Sequence, residues 1–411
     1  MKILISAYAC EPGRGSEPGV GWNVVREVSR YHQVWVLTSN CHRATIQTEL
    51  TLNKITNLNF VYLDPFGLKI DWSSKGKWTQ KWVHLHYYLW QIWAYFVSRS
   101  LHQEIDFDIV HHVTYVKYSS PSFLSLLPIP FIWGPVGGGE SAPKKFWKDF
   151  SLRGKIYESI RNLARFVGEI DPFVRITVKK SGLIQATTED TAKRLYKMGA
   201  KSVEIISESG LPEEDILSLS KYEIPDDYPV RFISMGRLLH WKGFHLGLCA
   251  FAQANLINSE YWILGDGSQK EQLYALAQEL EIADKVKFWG RLPREQSLEK
   301  LRECHVLVHP SLHDSGGWVC MEAMAAGRAV ICLDLGGPAV QVTEETGFKI
   351  HSDTPEQTVQ DIAQAMVSLA NNPEFRLRMG QAGQKRVREN FSWKSKGFYL
   401  SKLYREFSTN E

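Results

Sequence analysis

Short apolar runs alternate with longer amphipathic stretches along almost the whole chain, in two separate series, and this pattern leaves few folds open. The first series has strand candidates at Ile3–Tyr8, Gln33–Thr38, Asn59–Leu63, Phe107–Val113, Pro130–Gly134, Leu183–Thr187 and Val203–Ile206. Helical patterns fall between them at Trp22–Arg30, Trp82–Leu101, Lys155–Lys180 and Asp190–Met198. A helix between successive strands is a crossover, so the strands run parallel and helices cover both faces of the sheet. The alternation pauses from Glu208 to Pro229, a polar, proline-containing stretch that reads as a linker. A second series follows, with strands at Val230–Met235, Tyr261–Leu264, Val286–Trp289, His305–His309, Ala329–Leu333 and Phe348–His351. The expected class is α/β, two doubly wound Rossmann-like domains in tandem. Such sheets form a cleft at the carboxyl ends of their strands, where ligands bind. The final helical stretch, Ser392–Phe407, comes after both sheets are complete.

Composition excludes several functions. Of 411 residues, 48 are Lys or Arg and 45 Asp or Glu, and a net charge of +3 gives no electrostatic case for a nucleic-acid partner. No apolar run reaches the ~18–20 residues of a membrane-spanning helix. The opening Met1-Lys2-Ile3-Leu4-Ile5-Ser6 enters a strand directly and lacks the apolar region of a signal peptide, so a cytoplasmic location is expected. Cys10, Cys41, Cys249, Cys304, Cys320 and Cys332 are scattered, without a CxxC pair or metal spacing, and read as reduced thiols.

Chemistry concentrates where strands give way to helices. The densest cluster begins at His309-Pro310-Ser311-Leu312-His313-Asp314-Ser315-Gly316-Gly317-Trp318 and runs through Glu322 to Gly327. A strand ends at His309 and a helix opens near Gly317–Trp318, so free backbone N–H groups and the positive helix end offer a site for a diphosphate. Asp314 and Glu322 either accept hydrogen bonds from sugar hydroxyls or serve as a capping acid and a solvent-facing Glu. Upstream, Met235-Gly236-Arg237 leads to Lys242-Gly243 at another strand end, and these two cations suit a leaving diphosphate. Gly290-Arg291-Leu292-Pro293 ends a further strand, where backbone groups can meet a nucleobase edge. Leu264-Gly265-Asp266-Gly267 is glycine-rich but lacks GxGxxG spacing.

The order Gly-Arg-(x4)-Lys-Gly, Leu-Gly-Asp-Gly, Gly-Arg-Leu-Pro, then Pro-Ser-(x2)-Asp-(x7)-Glu-Ala-Met-Ala-Ala-Gly resembles retaining GT-B glycosyltransferases of family 4. The resemblance implies an acceptor-binding domain over 1–207 joined by a crossing helix at 392–411, and a nucleotide-sugar-binding domain over 208–391. It implies that Glu322 holds the ribose and that Asp314 stands where a Glu usually contacts the donor sugar. It also implies Arg237 and Lys242 at the phosphates, and Gly236, Gly290, Arg291, Leu292, Ser315, Gly316, Gly317 and Trp318 around the donor. No cofactor is expected, the nucleotide-sugar being a co-substrate.

In the first half, Gly13-Arg14-Gly15-Ser16-Glu17-Pro18-Gly19-Val20-Gly21 follows the first strand and permits close approach of backbone to the donor, with Gly15 and Gly19 as the contacts. His111 and His112 run off the fourth strand, and neighbouring strand residues face opposite ways. His112 is taken as the catalytic one and His111 as its packed partner. Gly138, Gly139 and Glu140 end the fifth strand on the acceptor side. Asp106-Phe107-Asp108 matches a metal-binding DxD only superficially, because it begins its strand, so no metal is expected. Aromatics with Lys and Arg over 75–99, and the basic stretch 144–155, suit either peripheral docking on the inner membrane face or a buried core helix.

The function expected is transfer of a sugar from a nucleotide-diphosphate-sugar to an acceptor hydroxyl, retaining by resemblance, in exopolysaccharide or other cell-surface glycan synthesis. The acceptor is a sugar, a glycan or a lipid-linked chain. The alternatives are a non-catalytic sugar-nucleotide-binding partner and a dinucleotide-dependent oxidoreductase, the latter disfavoured by the missing fingerprint.

Overall fold

The structure, a computed structural model, describes residues 1–67, 77–225 and 228–409. Lys75 of the aromatic stretch and Asp226-Asp227 of the expected linker lie outside the described residues, as do the side chains of Lys77, Trp78, Lys81 and Trp82. The chain divides into two compact units. The first comprises Met1–Gly139, Ala164–Glu208 and Trp393–Glu411; the second comprises Glu140–Leu163 and Ser209–Ser392.

Seven parallel strands form the first unit's sheet: β1 (Lys2–Ala7), β2 (Gln33–Ser39), β3 (Leu58–Leu63), β4 (Ile109–Thr114), β5 (Phe131–Val136), β6 (Leu183–Ala186) and β7 (Val203–Ile205). Their order is β3-β2-β1-β4-β5-β6-β7, which reverses direction of growth between β1 and β4. Six strands form the second: β8 (Val230–Met235), β9 (Ser259–Leu264), β10 (Val286–Gly290), β11 (Val306–His309), β12 (Ala329–Leu333) and β13 (Gly347–Ile350). Here the order is β10-β9-β8-β11-β12-β13, all parallel, and growth reverses between β8 and β11. That reversal opens a crevice at the carboxyl ends of these strands.

Both faces of the second sheet are buried, which is why its strands read as continuous apolar runs. Phe232, Val306, Val308 and Ile331 enter one core, and the intervening Ile233, Leu307, Val330 and Cys332 enter the other.

Two boundaries differ from the sequence reading. Residues 140–163 join the second unit because Ala142, Phe146 and Phe150 sit in one core with Phe232, Phe244 and Leu246. The single helix expected over 155–180 is two, Leu152–Ile170 and Pro172–Lys180. Asp171 breaks it, accepting hydrogen bonds from the N–H groups of Phe173 (2.7 Å) and Val174 (3.3 Å), with Pro172 at the first helical position. The terminal helix Trp393–Thr409 packs within the first unit, where Ser401 meets His32 (2.9 Å) and Tyr404 meets His111 (2.6 Å).

Candidate active site

The carboxyl ends of β8, β9 and β10 enclose a cavity of about 460 Å³. Gly236 and Arg237 line it from one turn, Gly265, Asp266 and Gly267 from the next, and Arg291, Leu292 and Ser297 from the third. Three motifs far apart in sequence thus meet at one place. Gly265 (φ +147°) and Gly267 (φ +159°) hold backbone that L side chains avoid. A Cβ on Gly265 would stand 1.8 Å from the Gly236 carbonyl oxygen, and one on Gly267 would stand 2.4 Å from that of Leu238. The cavity's floor is therefore bare main chain. Arg237 and Arg291 are exposed there, and among the described residues neither has a carboxylate partner. Asp266 is the one acid in the lining.

From the cavity, the loop 237–243 runs toward β11. The Leu238 N–H donates to the Asp266 carbonyl (3.0 Å), and the Leu312 N–H donates to the Trp241 carbonyl (2.8 Å). Gly243 (φ +67°) lies so close to this second loop that a Cβ would come within 1.9 Å of the Pro310 oxygen. Lys242 is thereby delivered to Asp314, and its ammonium bonds Oδ2 of that carboxylate. His309, the last residue of β11, places Nε2 3.1 Å from the same oxygen. A carboxylate oxygen only accepts, so Nε2 carries the proton. Burial opposes ionisation of Asp314, but the His309 hydrogen bond and the Lys242 charge outweigh it and hold the carboxyl well below the usual range. Burial also lowers the pKa of His309 against the pull of Asp314, so the ring is neutral and Lys242 supplies the positive charge.

The turn that follows departs from the expected open anion site. Asp314 Oδ1 accepts the N–H groups of Gly316 (3.3 Å) and Gly317 (3.4 Å), so two amides expected to be free are occupied by the chain's own acid. Gly317 (φ +56°) then starts the helix Trp318–Ala325. Ser209 Oγ and Gln341 Nε2 both donate to the Gly316 carbonyl, at 2.8 and 2.5 Å. A Cβ on Gly337 would stand 2.1 Å from the Ser315 carbonyl oxygen, so the 314–317 turn rests directly on the Gly336-Gly337 backbone. Glu322, inside the helix, does not face solvent: Oε1 accepts from Arg294 Nε (3.0 Å), and Arg294 also pairs with Asp215 (2.8 Å). Burial raises the Glu322 pKa, and the Arg294 charge offsets part of that rise.

The first-unit candidates are placed differently from expectation. His112 is 1% exposed, with Nδ1 on Ser122 Oγ (2.8 Å) and Nε2 near the Tyr87 hydroxyl and the Thr114 carbonyl (3.1 Å each). His111, on the opposite sheet face, spans Tyr404 and the Gly134 carbonyl (2.8 Å). Burial pushes the two pKa values down to about 4 for His111 and about 3 for His112, so both rings are neutral. Both ring nitrogens of His112 are engaged inside the first unit.

Gly15 precedes the helix Ser16–Val28 with an ordinary φ of −83°, and the positive φ falls on Gly13 and Ser16 instead. Gly19 serves packing, because a Cβ would stand 2.1 Å from the Arg14 oxygen. Arg165 and Arg194 hold the carbonyls of Gly138 (2.9 Å) and Gly139 (3.0 Å). Glu140 is buried and opens the second unit's first segment. Asp108, at the start of β4, accepts the Lys2 N–H at 2.7 Å. The aromatic stretch forms the helix Lys77–Ile105, with Tyr87, Trp90 and Ala94 in the core and Leu85, Tyr88, Ile92 and Phe96 exposed. No helix among the described residues is long and apolar enough to cross a membrane, and none of their His, Cys, Asp and Glu clusters suits a metal ion.

Residues 218–386 match the family described as Glycosyl transferases group 1. That match lies wholly within the second unit. The D-inositol 3-phosphate glycosyltransferase of Corynebacterium efficiens is 34% identical over 148 residues, 36% of this chain and 34% of that protein. The lipopolysaccharide core biosynthesis glycosyltransferase LpsE of Rhizobium meliloti is 28% identical over 217 residues, 52% of this chain and 61% of that protein. This chain thus spans a third to three-fifths of those relatives' lengths. The Anabaena protein Alr3699/HepE, solved with UDP and glucose, superposes with a TM-score of 0.56 at 16% identity, covering 99% of this chain and all of that one. The fold of the whole chain is GT-B.

Within the second unit the structure shows a cluster that sequence patterns did not reveal. Glu158, fully buried, accepts from His313 Nε2 (3.1 Å) and faces His240 Nε2 (3.4 Å). Trp241 stacks between Tyr157 (5.1 Å) and His313 (5.2 Å). Burial opposes ionisation of Glu158, yet the His313 hydrogen bond and nearby charges hold its pKa below the usual value. This carboxylate pins the residues flanking both Lys242 and Asp314. The one signal in the sequence was a pair of histidines beside those two residues.

Proposed function

We propose that this chain is a glycosyltransferase, moving a sugar from a nucleoside-diphosphate sugar to an acceptor hydroxyl with retention of configuration. The observation that carries this reading is the cavity floored by bare backbone at Gly236, Gly265 and Gly267 and flanked by two arginines without carboxylate partners. Its volume lies within the usual ~300–1,000 Å³ of small-molecule sites. Bare backbone admits a flat base or a phosphate at contact distance, and the guanidinium groups favour an anion there. Lys242 lies farther along the same loop, at Asp314, where the diphosphate–sugar bond would be. As that bond breaks, charge grows on the departing phosphate; Arg237 and Lys242 stabilise it where it develops. Asp314, kept ionised, sets the Lys242 ammonium and accepts a hydrogen bond from a donor-sugar hydroxyl once that ammonium turns to the phosphate, while Glu322 holds the ribose once Arg294 yields. No protein nucleophile is assigned.

The acceptor belongs to cell-surface glycan synthesis and is reached at the inner membrane face. The bound UDP and glucose of the Anabaena neighbour support the donor class, and the lipopolysaccharide core relative supports the pathway class. The test is release of nucleoside diphosphate and appearance of glycosylated product from a panel of nucleotide sugars. Turnover that falls in Arg237→Ala supports the assignment. Donor binding without release or transfer would make the chain a binding partner instead.

A further inference from the structure

The helix Leu152–Ile170 is amphipathic in the reverse sense. Its inward positions are Gly154, Glu158, Arg165 and Gly168, all buried. Its outward positions, at helical spacing, are Leu152, Ile156, Ile160, Leu163, Val167 and Ile170, each between 50% and 74% exposed. A soluble helix normally buries the second kind of residue and exposes the first.

The inner contacts explain why the helix cannot roll over. Glu158 is held by His313 and His240, and Arg165 Nε donates to the Gly138 carbonyl at 2.9 Å. A Cβ on Gly168 would lie 2.4 Å from the Ser119 side chain, so that face is pressed against its neighbour. The polar inner face fixes the rotation, and the apolar stripe is left outward along the whole helix, about 28 Å at 1.5 Å per residue. The next helix, Pro172–Lys180, continues it with exposed Phe173 and Ile176.

Charge on the flanks identifies what covers this stripe. From Lys144 to Lys180 there are ten Lys or Arg and four Asp or Glu, against 48 and 45 in the whole chain. Of the four acids, Glu158 is buried, Glu169 pairs with Arg194 and Asp171 caps a helix, leaving Asp149 as the exposed acid. Lys144, Lys145, Arg153, Arg175, Lys179 and Lys180 are exposed. A second copy meeting the stripe symmetrically would bring these cations against their own kind. A straight apolar line one helix wide, edged by cations, matches a helix lying in the plane of a membrane interface, its cations at the level of anionic headgroups.

We propose that the outward face of Leu152–Ile170 docks this chain on an anionic lipid bilayer. The contact lies on a different helix from Lys77–Ile105, which carries the aromatic stretch, and it does not depend on the reaction assigned above. The experiment is cosedimentation of the full chain with vesicles of phosphatidylglycerol and phosphatidylcholine in equal parts, at low salt. Wild type sediments, and less so as salt rises. Ile160→Asp combined with Val167→Asp weakens binding roughly a hundredfold. Thermal melting of that variant stays at the wild-type value, because both side chains are exposed. Lys179→Glu with Lys180→Glu abolishes binding to these vesicles through charge alone. Three results overturn the proposal: wild type that stays in solution, an Asp pair that binds as wild type does, or a concentration-dependent dimer that the Asp pair dissolves without any vesicle binding. Donor turnover with a water-soluble acceptor is measured on the same variants. Its absence in wild type that still binds vesicles tells against the reaction and leaves the docking intact.

Discussion

Lys242→Met separates what this lysine does for the fold from what it does for the reaction. In the resting protein its ammonium is one of four groups on Asp314, beside His309 and two backbone amides. The carboxylate's side chain is 18% exposed. Removing one partner of a buried pair costs ~3–5 kcal/mol, but three remaining donors reduce that to about 2 kcal/mol here. In a domain of this size that lowers the melting temperature by about 4–8 °C. Adding Asp314→Asn removes the stranded charge. The amide oxygen can still accept from Gly316 and Gly317, and His309 can switch tautomer so that Nε2 accepts from the new amide N–H. The double variant therefore regains most of the lost stability. Turnover behaves otherwise: loss of a preorganised cation at the leaving group costs about 2.7–4 kcal/mol, a hundredfold or more in kcat, in the single and the double variant alike. The assays are thermal unfolding and nucleoside diphosphate release at saturating donor. A double variant that recovers turnover together with stability would show that Lys242 merely holds Asp314 in place.

Three further expectations rest on other parts of the structure. Gly265→Ala puts a Cβ 1.8 Å from the Gly236 oxygen at φ +147°, so the cavity floor must shift. Wild type should gain about 2.7 kcal/mol from nucleoside diphosphate at a hundred times its Kd, and the variant close to none, read by thermal shift. His112→Ala strands Ser122 and Tyr87 in the core and should cost ~3 kcal/mol in urea unfolding, with kcat per folded molecule unchanged; a large fall in kcat at unchanged stability would restore it to the reaction. Burial pushes Lys396 down to about 7, while the unfolded chain keeps that proton to ~10.4. The unfolded state thus binds more protons between those values, and stability rises with pH by up to about 1.4 kcal/mol per unit. Lys396→Met should remove that increment when unfolding is compared at pH 7 and pH 9.

The strands were legible because parallel sheets covered on both faces demand unbroken apolar runs, and the thirteen runs read from the sequence coincide with β1 to β13 to within two residues. The glycine turns were legible for a related reason: Gly236, Gly265 and Gly290 each carry a positive φ where a strand ends. Other features depend on partners distant in sequence. Nothing local marks residues 140–163 as belonging to the second unit, because Phe146 and Phe150 find their neighbours near Phe232 and Phe244. His112 looked like a site residue from its place at a strand end, and only Tyr87, Ser122 and Thr114 reveal that its nitrogens are already used. The free amides expected after Asp314 are taken by Asp314 itself, a matter of one side-chain rotation. The 336–337 glycines that support that turn carry no signature apart from their contact with it.

The most direct measurement is the position of the two phosphates in a crystal of this protein with an intact nucleoside-diphosphate sugar. Phosphate oxygens are expected within about 3.2 Å of the Arg237 guanidinium and the Lys242 ammonium, with the base over Gly265–Gly267. Phosphates held elsewhere, with the Lys242–Asp314 pair undisturbed and the cavity empty, would contradict that placement.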